Sequence, residues 1–117
     1  MEPSRLHELN KLAGEFCGKK LTGQFSHGGE RWVYASYEDE CTMQYTQWNP
    51  SENHEQAAEV KAKLREKGYD MIISIKKNHV VVMIFAPSEG MWEGQHESEL
   101  IALLLAVEAV MKKEKHA

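Results

Sequence analysis

The stretch Ser26-His27-Gly28-Gly29-Glu30-Arg31 has the residue types of an anion site. Adjacent glycines can turn backbone N–H groups toward a negative charge, and an arginine beside them can add a two-pronged clamp on phosphate or carboxylate. The competing role is a glycine turn with a solvated arginine. Aromatic rings crowd the residues that follow: Trp32, Tyr34, Tyr37, Tyr45 and Trp48, with Trp92 alone between Gly90 and Gly94. A nucleobase stacking on such a ring gains about 1–3 kcal/mol. Trp32 and Trp48 have burial under helices as the alternative. Trp92, outside any periodic run, reads either as a loop anchor or as a ligand or subunit contact.

Signatures of catalysis are missing. His7-Glu8, His54-Glu55 and His96-Glu97 all lack the second histidine four residues on that a zincin helix needs, and these histidines are expected at the surface. No Gly-x-Ser-x-Gly elbow, Walker loop or dinucleotide glycine motif occurs. The carboxylates Glu38, Asp39 and Glu40 belong to a polar turn, where nothing suggests the burial that perturbs a pKa. Cys17 and Cys41 match no metal or redox spacing and read as reduced thiols. No catalytic residue, metal ligand or cofactor is therefore assigned. His27 and His96 are the only candidates for a general base, and neither has a partner legible in the sequence.

The elements that must hold these residues follow from periodicity. Leu6, Leu9, Leu12, Ala13, Phe16 and Cys17 recur at helical spacing over residues 4 to 17, with Ser4 as expected N-cap and Gly18 as stop. Lys19 to Arg31 shows no sustained period and reads as a mobile segment with a short strand near Leu21 to Phe25. Trp32 to Tyr37 and Thr42 to Trp48 form an expected hairpin across Glu38-Asp39-Glu40. Asn53 with Gln56 fits a capping box opening a helix to about Lys67, buried along Ala57, Val60 and Leu64 and ended by Gly68. Met71 to Lys76 and Val80 to Ala86 form a second hairpin, apolar on both faces of its second arm, which predicts cover on both sides. Ser88 to Glu97 reads as a loop around Trp92. Ser98 caps a final helix whose run Leu100 to Val107 is wide enough to face a sheet closely. The expected fold is α+β: an antiparallel sheet of two hairpins sandwiched by helices, in the order α-ββ-α-ββ-α, as one domain over residues 1 to 117.

Composition bounds the function. The 117 residues carry 14 Lys and Arg against 18 Asp and Glu, a net charge of −4. That balance argues against sequence-independent nucleic-acid binding, which draws its affinity from cations on phosphates. The Leu100 to Val107 run falls far short of the roughly 20 residues that span a bilayer, so no membrane partner is expected. Met1 to Arg5 lacks the features of a signal peptide, and a cytoplasmic location is expected.

From Gln47 onward the chain resembles the phage ABA sandwich domain family, small proteins of bacteriophages and prophages. The likeness rests on Trp48-Asn49-Pro50-Ser51 leading into Ala57-Ala58-Glu59-Val60, on the helix exit Lys67-Gly68-Tyr69-Asp70, on the hairpin, and on Glu97-Ser98-Glu99-Leu100-Ile101-Ala102-Leu103-Leu104. It covers roughly residues 43 to 111. The resemblance implies helices sandwiching an antiparallel sheet and carries no catalytic residue. Its phage setting implies a non-enzymatic protein, expected to be a homo-oligomer in the host bacterial cytoplasm. Such a protein would sequester a nucleotide immune signal of the cyclic dinucleotide or cyclic ADP-ribose type. The ligand-binding residues expected are Arg31, Gly28, Gly29, His27, Trp32 and Trp92. The alternative is a protein-interaction module docking on a host or phage protein without a small ligand.

Overall fold

A computed structural model describes residues 1–26, 29–37 and 42–116, with the side chains of 25, 26, 37 and 114–116 left aside. His27, Gly28, the Glu38-Asp39-Glu40 turn and Cys41 lie outside the described residues. The elements are α1 (Pro3–Phe16), β1 (Thr22–Ser26), β2 (Gly29–Tyr37), β3 (Met43–Gln47), α2 (His54–Glu66), β4 (Asp70–Ile75), β5 (Val80–Phe85), β6 (Met91–His96) and α3 (Glu99–His116). The chain is α+β, and the expected order of helix, hairpin, helix, hairpin, helix is present. Each hairpin carries a third strand, so there are two antiparallel sheets, β1-β2-β3 and β4-β5-β6, instead of one.

Both added strands come from segments without apolar alternation, for a reason their neighbours supply. In the Lys19 to Arg31 segment, Gly23 lies opposite Trp32 in the ladder, and a Cβ there would stand 2.4 Å from the Glu30 Oε1 atom. The strand makes room for its partner's side chains in place of displaying its own, and cross-strand contacts hold it. In the expected loop around Trp92, Gly94 plays the corresponding part against a helix: a Cβ would meet the Ala102 carbonyl oxygen at 2.2 Å and the Ala106 nitrogen at 2.6 Å. Trp92 thus sits on β6, its ring edge-on to Tyr69 at 6.2 Å and packed against the core.

The helix ends follow local chemistry with one correction. α1 begins at Pro3, whose fixed φ and missing N–H suit a first helical position, so Glu2 and not Ser4 is the N-cap. Gly18 leaves α1 at a φ of 76°, a conformation that favours glycine. Asn53 caps α2 by accepting from the Gln56 N–H at 3.0 Å, but Gln56 does not complete the reciprocal box. Its side chain reaches back to β3 and donates to the Gln47 carbonyl at 2.6 Å. Ser98 Oγ accepts from Ile101 N at the start of α3.

α3 is the centre of the core, with Leu100, Ala102, Leu103, Leu104, Ala106, Val107 and Val110 all buried. One side of it rests on β5 and β6 and the other meets α1 and α2, while α1 also reaches β2. Helices thus pack against antiparallel strands as expected, but against two sheets where one was expected. Along β5, Val80, Val82 and Ile84 join the core under α3, while Val81, itself buried, and the half-buried Met83 and Phe85 take the opposite face of the sheet with exposed Ile72 and Met91. Among the described residues no helix is long and apolar enough to cross a membrane.

Candidate functional site

The Trp48-Asn49-Pro50-Ser51 segment is the joint that sets the site. Trp48 is 1% exposed and donates its indole N–H to the Asn10 carbonyl of α1 at 2.8 Å. Asn10 answers with its own side chain: Oδ1 accepts from the Ser51 N–H at 3.1 Å, and Nδ2 donates to Ser51 Oγ at 3.1 Å and to Asn49 Oδ1 at 3.3 Å. Asn49 Nδ2 donates in turn to Glu52 at 3.0 Å. Burial makes the Trp48, Asn10 and Ser51 bonds costly to lose, so α1, the end of β3 and the entry to α2 are held in one register. Trp48 is accordingly a core residue.

Trp32 docks the same helix from β2. Its indole N–H donates to the His7 carbonyl at 2.9 Å, and the His7 ring stacks on it with centroids 4.4 Å apart and planes 12° from parallel. Lys11 Nζ stands 5.7 Å from the Trp32 ring centroid, within cation–π range. His7, expected at the surface, is thus packed between helix and sheet. Its Nε2 is buried without a hydrogen-bond partner, 3.6 Å from Glu30 Oε1.

Between the first half of α1 and the departing end of β3 lies a cleft of about 490 Å³. Leu6, His7 and Asn10 wall one side, Gly29, Glu30, Arg31 and Trp32 another, and Gln47, Asn49 and Glu52 the third. Arg31 is exposed and donates from Nη1 to Gln47 Oε1 at 3.2 Å. Arg31 and Trp32 are strand neighbours and leave opposite faces of the sheet, so they meet only at the cleft where the β3 edge has ended. The cleft offers one guanidinium, two carboxylates and several amides. Among the described residues no three His, Cys, Asp or Glu side chains gather as a metal site.

Of the residues expected to bind a ligand, Gly29, Arg31 and Trp32 come together here. Trp92 does not; it belongs to the other sheet. His27 and Gly28 lie outside the described residues. His7, Asn10, Gln47, Asn49, Glu30 and Glu52 were not singled out. A signal for part of the set exists in hindsight: His7, Asn10 and Gly14 form a small and polar stripe on α1 beside its apolar one. Gly14 is where a Cβ would meet Leu21 at 2.4 Å and the Trp48 indole nitrogen at 2.9 Å.

Glu108 and Cys17 are perturbed away from the cleft. Arg5 forms a two-pronged pair with the buried Glu108 of α3, and its hydrogen bonds hold that carboxyl below the ordinary glutamate value. Burial pushes the Cys17 thiol up to about 11, which makes it a poor nucleophile at neutral pH. Comparison of the chain with models of known protein families, with characterised proteins and with solved structures found no match.

Proposed function

We propose that this chain is a non-catalytic binding protein that takes a small anionic nucleotide in the cleft between α1 and the first sheet. The observation that carries the reading is the mixed lining of that cleft. Arg31 suits a phosphate, and Glu30, Glu52 and the Asn49 and Gln47 amides suit ribose hydroxyls and base amino groups, which a simple anion lacks. A volume of about 490 Å³ suits one small organic ligand. Trp32 serves as a wall, because His7 already occupies its stacking position. The role we attach to it rests on the resemblance to phage ABA sandwich proteins read from the sequence: sequestering a cyclic dinucleotide or cyclic ADP-ribose signal in the host cytoplasm to blunt antiphage defence.

Native mass spectrometry of the protein incubated with those nucleotides, followed by heat release, tests this. The expected result is an intact nucleotide at a fixed ratio to chain, bound at least about 1.5 kcal/mol more weakly by Arg31→Ala, the scale of a charge-assisted contact. Recovery of a cleaved product would make the protein an enzyme, and absence of binding across the panel would end the nucleotide reading. A second reading, docking on a host or phage protein, draws on Met43 and Tyr45, which stand exposed on one face of β3. It predicts a polypeptide partner whose binding Tyr45→Ser weakens and Arg31→Ala does not.

A further inference from the structure

The second sheet presents an edge suited to receive a strand. Among the described residues β4 pairs with β5 alone, in an unbroken register from Asp70 opposite Phe85 to Ile75 opposite Val80. At the hairpin end Lys76 N donates to the His79 carbonyl at 2.8 Å. Antiparallel pairing alternates, so residues 76, 74, 72 and 70 exchange bonds with β5, and Met71, Ile73 and Ile75 turn their N–H and C=O groups to the other edge. Native edges are normally blunted by proline, bulges or cover. This one has neither proline nor bulge, and Ile75 is 78% exposed on it.

What would cover Ile75 is set by its face. Ile75 and Met71 lie on the side of the sheet that α3 packs against, since their ladder partners Val80 and Ile84 belong to the core. Beside Met71, between α2 and the start of β4, runs a groove of about 410 Å³ whose walls include Ala58, Ala62 and Tyr69.

We infer that β4 is a self-pairing edge, through which two copies of this chain join antiparallel about a two-fold axis at Ile73 to make one six-stranded sheet. Three requirements agree on that register. Met71 faces Ile75 of the partner subunit and Ile73 faces its own copy, so every backbone group left over by β5 meets another. A shift by one residue would set free groups against used ones. Asp70, the first residue of β4, and Lys76, the residue just after it, then stand opposite each other across the axis, one ion pair at each end. Ile75 of the partner subunit comes to lie over Met71, beside the apolar part of the groove, whose lining also includes Lys61, Arg65 and Asp70. The contact is isologous, so it closes at two copies and does not propagate.

Sedimentation of the full chain from micromolar to submillimolar concentration tests this, with circular dichroism confirming that each variant is folded. Wild type is expected at twice the 13.4 kDa chain mass. Lys76→Glu or Asp70→Lys alone puts like charges at both ends and should raise the dimer dissociation constant by about tenfold. The double variant Asp70→Lys/Lys76→Glu should restore it, which a general loss of stability would not. Ile75→Lys should give a monomer in which the amides of residues 71, 73 and 75 exchange quickly, where the wild-type dimer protects them. A wild type that stays monomeric, a dimer untouched by both single charge changes, or an oligomer with freely exchanging β4 edge amides would overturn the inference.

Discussion

Gly94→Ala is the sharpest test of how α3 is seated. A Cβ at this position would stand 2.2 Å from the Ala102 oxygen, 2.6 Å from the Ala106 nitrogen and 2.9 Å from the Leu105 Cβ, with both nearest atoms in helix backbone. Backbone cannot rotate aside as a side-chain tip can, so the helix must move off β6 by on the order of 1 Å to restore an ordinary contact. A gap of that size forfeits roughly a quarter to a half of the dispersion attraction along the seam. The seam carries the core residues Leu103, Leu104 and Val107 of α3 and Val82 and Ile84 of β5. The cost therefore belongs at the upper end of the overpacking range, about 3 kcal/mol, a large part of a stability of roughly 5–15 kcal/mol. Urea unfolding followed by circular dichroism reads it as a fall in midpoint at constant slope. Glu93→Ala and Gln95→Ala, exposed on the same strand, should stay within about 0.5 kcal/mol and serve as controls. A Gly94→Ala protein within about 1 kcal/mol of wild type would mean that α3 has room beside β6 that the packing denies it.

The Arg5–Glu108 clasp between α1 and α3 makes a prediction in pH. Glu108→Gln should cost about 1–2 kcal/mol at neutrality, below the value for a fully buried pair because the Arg5 side chain is 41% exposed and screened by water. Its folded pKa is depressed by Arg5, so the contribution is complete above the unfolded value near 4.5 and is lost as pH falls through the lower folded value. Thermal unfolding of the two proteins should show a constant gap down to about pH 4.5 that closes in stronger acid; a gap independent of pH would exclude the ion pair as its cause. Asn10→Ala should cost about 2 kcal/mol, because it leaves the Ser51 N–H buried without its acceptor. Hydrogen exchange should quicken at the Ser51 amide in that variant before global unfolding, and unchanged protection there would mean that the joint is held by other contacts.

Local chemistry made much of the fold legible. Gly18 and Gly68 end helices at positive φ, Asn53 and Ser98 cap them, and Ala57, Val60 and Leu64 of α2 and most of the Leu100 to Val107 run of α3 become buried. These are short-range effects, and their signals lie within a few residues of their consequences. Ser4 failed as a cap because Pro3 beside it already satisfies the first helical position. β6 was hidden, and β1 legible only as a short strand near Leu21 to Phe25, because each depends on packing against residues seven or more positions away: Gly23 yields space to Glu30 beside Trp32, and Gly94 to α3, and a glycine in isolation reads as a loop. The same distance hid the cleft. Arg31, Gly29 and Trp32 are neighbours in sequence and could be picked out as a cluster, whereas His7, Asn10 and Asn49 join them only once Trp32 and Trp48 have fastened α1 to the first sheet. Residue types and periodicity, acting over three or four positions, thus determined the class, the helices and both hairpins of this protein. Packing across the chain decided the number of sheets, the central place of α3 and the walls of the cleft, because steric exclusion and buried hydrogen bonds join residues that no local pattern relates.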